Sequence, residues 1–295
     1  MNMKALGIFA MVAPTTALAM TLGSTRERMP FGLITVQPTF TVSDWGVART
    51  ALADFLDLAR KETGCCYCGW TRCTTEDKLF ISEAFRDADA VIAHVQAYKQ
   101  IRETLSDAVS LQRMQVHGPP VEIEKCLSAM PEGTECFAAR EPGGFSYFSK
   151  QTGGLMTAQT LCSLKPMLKV TDWDAAEKIM AEYLERASLE AGLIYIGWTA
   201  SNDDERLFCR VAHSNANAVL EHLINVAPCL QALLDGPATL ESIELHGPQM
   251  QIERVQQAGT LLDGLGAEYY VTQSGFQKYE CWSSYVAQGP GIRFG

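Results

Sequence analysis

Histidine is the side chain whose ordinary pKa, about 6.5, lets it exchange a proton near neutral pH. Four of the five histidines in this chain form two related pairs, His94 with His222 and His117 with His246. The first pair follows Ala93 and Glu221 in apolar stretches of helical periodicity. Such a residue could act as a general base, an effect worth roughly 10²–10⁴ in rate. It could equally be a buried histidine that fixes the fold by bonding to a carbonyl or carboxylate. His117 and His246 each precede Gly-Pro, where a ring nitrogen could lock the turn or approach Glu124 or Glu253; a functional role requires both to face one cavity. Trp70 and Trp198 share strands with Tyr67 and Tyr195 at an odd spacing, which sends the two aromatics of each pair to opposite faces. A tryptophan on the helix side could stack on a flat aromatic ligand or simply fill the core. Trp45 and Trp173 are expected to pack at a helix start. His94 and His117 lie 23 residues apart with no carboxylate motif joining them, so no metal centre is expected.

The pairing follows from a repeat. Trp45 and Trp173, Trp70 and Trp198, His94 and His222, and His117 and His246 are separated by 128, 128, 128 and 129 residues, so one single-residue insertion aligns all four. Val42-Ser43-Asp44-Trp45 returns as Val170-Thr171-Asp172-Trp173, and Tyr67-Cys68-Gly69-Trp70-Thr71 as Tyr195-Ile196-Gly197-Trp198-Thr199. Val116-His117-Gly118-Pro119 returns as Leu245-His246-Gly247-Pro248, and Phe145 corresponds to Phe276. The copies are expected at residues 31–149 and 162–285, joined by a linker at 150–161 that contains Gly153-Gly154. They differ where chemistry could diverge: Phe85 becomes His213 and Glu122 becomes Gln251, so at most one copy is expected to be catalytic.

A length of 295 residues, 47% hydrophobic and 20% charged, suits two globular domains. The net charge of −10 and pI of about 5.0 argue against nucleic acid, whose phosphates require a basic footprint. Lys4, the apolar run Ala5 to Ala13, Pro14 and the pattern Ala17-Leu18-Ala19 read as a signal or targeting peptide at residues 1–19. That run is shorter than the roughly 20 residues of a spanning helix. Export or organelle targeting (secretory, periplasmic or plastid) is therefore expected. Of the ten cysteines, Cys65, Cys66, Cys68 and Cys73 cluster, but no second Cys-x-x-Cys pair completes a zinc site and the other copy has no equivalent. They read as apolar strand residues, with a disulfide inside the cluster open if the chain is exported.

Each copy begins with a strand candidate, Leu33 to Thr41 or Leu164 to Val170, followed by a helix capped at Ser43-Asp44 or Thr171-Asp172. A hairpin follows, then a second helix from Asp87 or Asn215, a strand into His-Gly-Pro, a short helical segment and a last strand through Phe137 or Tyr270. The order β-α-β-β-α-β is the ferredoxin-like pattern of an α+β fold. Its helices cover one face of the sheet, and two tandem copies can bury the other face against each other as an intramolecular barrel.

This order, together with Ala93-His94 and Glu221-His222 on the second helix after the strands of Phe80 and Phe208, resembles tandem antibiotic-biosynthesis-monooxygenase-like domains of the dimeric α+β barrel superfamily. The resemblance covers about residues 31–149 and 162–285. It implies a cofactor-independent monooxygenase acting on a small aromatic or quinol-type substrate with O2, without metal or flavin. His94 and His222 would be the bases that ionise a phenol, and Trp70, Trp198, Tyr67, Tyr195, His117 and His246 would line the substrate site. The chain departs from quinol-oxidising relatives after each helix histidine, where Gln96-Ala97-Tyr98 and Ile224-Asn225-Val226 stand in place of a second histidine. The superfamily also holds members without catalysis, which leaves open a ligand-binding protein or a subunit of a larger assembly; the chain is expected to form a pseudo-dimer within itself, with any higher assembly open.

Overall fold

The computed structural model describes residues 27–30, 32–148, 161–203 and 205–278. The expected leader lies outside the described residues, as does the linker apart from Leu161. The elements are β1 (Glu27–Pro30), β2 (Ile34–Val42), α1 (Trp45–Ala59), β3 (Cys65–Cys73), β4 (Lys78–Phe85), α2 (Ala88–Ala97), α3 (Lys99–Ser106), β5 (Val109–Gly118), α4 (Pro120–Leu127) and β6 (Glu135–Phe148). They continue with β7 (Cys162–Val170), α5 (Trp173–Ala187), β8 (Leu193–Ser201), β9 (Arg206–His213), α6 (Ala216–Asp235), β10 (Ala238–Gly247), α7 (Gln249–Gln257), α8 (Leu261–Gly264) and β11 (Glu268–Gln277).

Helices α1, α2, α5 and α6 start where side chains satisfy the free backbone N–H groups of their first turn. Asp44 accepts from the Gly46 and Val47 amides, Asp172 from Ala175, Asp87 from Ala90 and Asn215 from Ala218. Each helix buries one face. Leu52, Phe55, Leu56 and Ala59 of α1 and Met180, Tyr183, Leu184 and Ala187 of α5 recur at helical spacing and are buried against the sheet. Each large apolar side chain so removed from water contributes roughly 1.5–3 kcal/mol. The long second helix differs between the halves: at Tyr98 the backbone leaves helical geometry and separates α2 from α3, whereas α6 runs unbroken through Pro228.

The strand order is β6-β5-β2-β4-β3-β11-β10-β7-β9-β8, and β8 pairs back onto β6, closing ten strands into a barrel. β1 adds to β6 outside that ring. The two halves meet at two antiparallel seams, β3 with β11 and β6 with β8. Gly69 faces Gly275 at the first and Gly144 faces Gly197 at the second. A Cβ on Gly144 would stand 2.3 Å from the Ile196 carbonyl oxygen, and one on Gly275 would stand 2.9 Å from the Gly69 Cα, so both approaches need glycine. Past the seams the chain crosses over: Phe145 of the first half is buried in the core of the second, and Phe276 of the second packs on the core of the first.

Alternation along the strands separates two environments. Ile34, Val36, Cys68, Trp70, Ile81 and Phe85 face the helices, as do Leu168, Trp198, Cys209 and Val211. Residues of the opposite parity face the barrel interior, which is polar: Gln37, Thr39, Gln115, His117, Lys165, Thr199, Arg210, Glu244 and His246 are all buried. Cys65, Cys66, Cys68 and Cys73 are all buried.

Candidate functional site

On the helix side of the first half, β4 and α2 bring His94 between two carboxylates. Its Nδ1 is 2.9 Å from Glu62 Oε2 and its Nε2 is 2.7 Å from Glu83 Oε1. Phe55, Phe85 and Tyr98 pack around the ring, at centroid distances of 5.6, 4.8 and 4.1 Å. Burial pulls the imidazole pKa down, but Glu83 and Glu62 override it and raise it to about 9. At neutral pH His94 is therefore an ion-paired cation, with no lone pair to offer a substrate proton. Trp70 belongs to the apolar core of the same half, stacked on Trp45 at 6.5 Å.

The matching place in the second half has other neighbours. His222 Nδ1 lies 2.9 Å from both carboxylate oxygens of Glu190, and Nε2 lies 2.8 Å from the Tyr183 hydroxyl. The ring of His213 is 4.5 Å from that of His222. Trp198 packs edge-on against Tyr183 at 5.2 Å. Both tryptophans thus lie on the helix side, within packed aromatic clusters.

His117 and His246 occupy the barrel interior and cross between the halves. His117 Nδ1 is 3.0 Å from Thr199 Oγ1, and His246 Nδ1 is 3.0 Å from Thr71 Oγ1. Neither histidine turns toward Glu124 or Glu253: His246 Nε2 donates instead to Glu244 Oε2 at 2.9 Å, with its ring stacked on Tyr270 at 4.5 Å. Phe137 and Phe208 enclose His117 at 4.7 and 4.6 Å. Lys165 projects from β7 with its Nζ 3.7 Å from the centre of the Phe80 ring. Arg210 donates to Thr35 Oγ1, and Arg113 Nη2 donates to Glu244 Oε1 at 3.2 Å.

Electrostatics in this enclosure are strongly perturbed. Burial lowers the Lys165 ammonium pKa; Glu244 opposes that, Arg210 and Arg113 add to it, and the result is about 7. Burial would raise the Glu244 carboxyl, but His246, Lys165 and Arg113 bring it down to about 2. Burial and Lys165 lower His246 to about 4 against the pull of Glu244. His117 is driven well below its ordinary value by burial, then by Arg210, Lys165 and Arg113. The interior thus holds an amine that gives up its proton near neutrality, beside fixed cations and aromatic walls.

Neither a protein-family model nor a curated protein matches the sequence. Among solved structures, a monooxygenase candidate from Fusobacterium nucleatum subsp. nucleatum superposes with a TM-score of 0.52, covering 74% of this chain and 91% of that one at 10% identity. The chain has the dimeric α+β barrel fold. MupZ from Pseudomonas fluorescens is 22% identical and covers 41% of this chain and 98% of its own, with a TM-score of 0.37. A chlorite dismutase from Candidatus Nitrospira defluvii is 16% identical over 68% of this chain and 83% of its own, with a TM-score of 0.39.

Within this dimeric α+β barrel, the candidate residues fall into separate places. His94 with Trp70 and His222 with Trp198 lie on the helix sides of opposite halves, while His117 and His246 share the interior. Tyr195 also reaches inward, its hydroxyl 3.4 Å from Ser163 Oγ. Tyr67 is partly buried; desolvation, then Tyr195 and Cys68, hold its hydroxyl protonated. The charged residues of the interior, Lys165, Arg210, Glu244 and Arg113, were not among the sequence candidates. The repeat offset carried a signal for them: Lys165 and Glu244 replace Gln37 and Gln115, and Arg210 replaces Ser82.

Proposed function

We propose that the chain is an oxygenase-type enzyme that takes a small aromatic phenol or quinol into the barrel interior and oxygenates it without metal or flavin. Two ferredoxin-like copies, packed as a dimer within one chain, form the enclosure. The observation that carries this reading is the buried amine of Lys165, pKa about 7, facing aromatic walls beside Arg210 and Arg113. An amine of that pKa is matched to taking a phenolic proton near neutral pH. Arg210 and Arg113 supply positive charge for the resulting phenolate, and hydrogen bonds to Thr71 and Glu244 orient His246 beside it. The ionised ring gives its electrons to O2. One oxygen atom becomes a carbonyl on a ring carbon, replacing its single hydrogen; the phenolate oxygen becomes the second carbonyl, and the ring hydrogen and the phenolic proton leave with the other oxygen atom as water.

The test is O2 uptake and product mass over a panel of phenols and hydroquinones, compared with Lys165→Gln and Glu244→Gln, which install the amides present at the matching positions Gln37 and Gln115. The expected rate for Lys165→Gln is lower by about 10²-fold or more. The parent's kcat/KM should rise with pH through about 7, as Lys165 loses its proton. A folded Lys165→Gln protein that keeps the parent rate and pH profile would overturn this assignment. A parent that consumes no oxygen with any phenol would redirect the reading to ligand binding without turnover.

A further inference from the structure

We propose that Glu190, His213 and His222 form a binding site for one divalent first-row transition-metal ion on the helix side of the second half. Glu190 follows α5, His213 ends β9 and His222 lies on α6, so three separate elements converge on one point. One ligand atom from each residue falls within 4.8 Å of the others. Glu190 Oε2 is 2.9 Å from His222 Nδ1 and 3.8 Å from His213 Nε2. Metal–nitrogen and metal–oxygen bonds of about 2.0–2.2 Å place neighbouring donors roughly 3–3.5 Å apart, so only a small closure separates this arrangement from coordination.

A second observation points to an ion. His213 is fully buried, yet among the described residues neither ring nitrogen has a hydrogen-bond partner. Burying an imidazole in that state costs about 1–3 kcal/mol per unsatisfied group. A neutral imidazole is the form that ligates a metal. The surrounding bonds leave the required lone pairs directed inward. Asn225 Nδ2 donates to Glu190 Oε1 at 2.8 Å, leaving Oε2 facing the two histidines. The Tyr183 hydroxyl sits 2.8 Å from His222 Nε2, where it can accept that proton and turn Nδ1 to the ion. Two imidazoles and one carboxylate suit zinc, cobalt(II) or iron(II), and three protein ligands leave positions open.

The first half supplies an internal comparison. Shifting by 128 residues places Glu62, Phe85 and His94 at the three positions. Phenylalanine replaces one ligand, and Glu83, where the second half has Val211, takes the far nitrogen of His94. That centre neutralises its histidine with two carboxylates. The second half has exchanged one carboxylate for an imidazole, so that one carboxylate and two imidazoles converge as donors. If position 213 served packing alone, the apolar ring used at Phe85 would suffice.

The test uses the full chain, produced with Co2+ in the growth medium, and also stripped with chelator and titrated with Co2+ and Zn2+. The expected result is one equivalent per chain, with visible d–d absorption for Co2+ and a higher melting temperature in the presence of Zn2+. His213→Phe, borrowing the residue of the first half, and Glu190→Gln should each weaken binding beyond the 10–100-fold typical of losing a supporting partner. If His213→Phe fails to fold, Glu190→Gln decides. No stoichiometric metal in the parent by either route, or folded variants that bind as tightly as the parent, would overturn the assignment. The readout does not depend on the oxygenase reading, because His213 and Arg210 stand three residues apart on β9 and face opposite sides of the sheet.

Discussion

His94 is held as a cation by its neighbours, and that has a consequence for stability. The charged groups facing it are Glu62 after α1 and Glu83 on β4; Tyr98 and Cys68 also face it and remain neutral. Its folded pKa, about 9, lies above the ordinary 6.5. A histidine whose pKa is raised on folding stabilises the native state fully below the unfolded value, and that contribution fades as pH climbs through the folded value. The loss should therefore fall between about pH 6.5 and 9 and amount to about 3 kcal/mol, at 1.36 kcal/mol per pKa unit. Urea unfolding from pH 6 to 10 measures it, and Glu83→Val, which installs the residue of the other half, should shrink the slope. An unchanged slope in that variant would contradict the ion-pair account. The histidines and the opposed faces of Trp70 and Tyr67 were legible in the sequence because parity along a strand is rigid. The carboxylates were not, because Glu62 and Glu190 sit in turns whose approach to a distant helix no local period encodes.

The difference between Glu122 and Gln251 at the element scale turns out to concern helix starts. Glu122 Oε2 accepts from the Ala88 amide at 2.9 Å and Gln251 Oε1 accepts from the Ala216 amide at 2.7 Å, each assisting the cap residue Asp87 or Asn215. Both side chains supply an acceptor oxygen to the first turn of the helix that carries the central histidine. Glu122→Gln should therefore leave stability within about 0.5 kcal/mol, whereas Glu122→Ala should cost about 1–2 kcal/mol. Chemical denaturation of both variants separates the acceptor role from charge; equal losses would refute it. The element order was readable because caps, helical stripes and Gly-Pro stops recur at a fixed offset. The break at Tyr98 was not, since its cause is tertiary: the Tyr98 hydroxyl reaches the Phe55 carbonyl at 3.1 Å, while Val226 stands at the matching place in the other helix.

At the scale of the whole molecule the halves are joined by exchange. His117 bonds to Thr199 and His246 to Thr71; Arg206 pairs with Glu135 at 3.2 Å and Lys78 with Glu268 at 3.3 Å. Each contact has a counterpart related by the repeat, and each spans a seam. A closed ring removes the exposed strand edges that two open sheets would carry. Closure depends on backbone approach at the glycine pairs. Gly69 and Gly197 were visible in the repeated Gly-Trp-Thr motif, but nothing in one sequence says which distant strand they meet. Gly144→Ala places a Cβ against the Ile196 carbonyl, which cannot move without breaking the β6–β8 ladder; Gly275→Ala meets Gly69 less closely. Overpacking of this kind costs about 1–3 kcal/mol. Gly144→Ala should be the more damaging, with faster amide exchange confined first to β6 and β8, while Gly275→Ala loosens β3 and β11. If the barrel closes as one cooperative unit, either opening also speeds exchange at the opposite seam; if the seams are independent, the effects stay local and the double variant is additive. Hydrogen exchange on the two single variants and the double variant separates these outcomes, and unperturbed exchange at both seams would show that the glycine contacts do not close the ring.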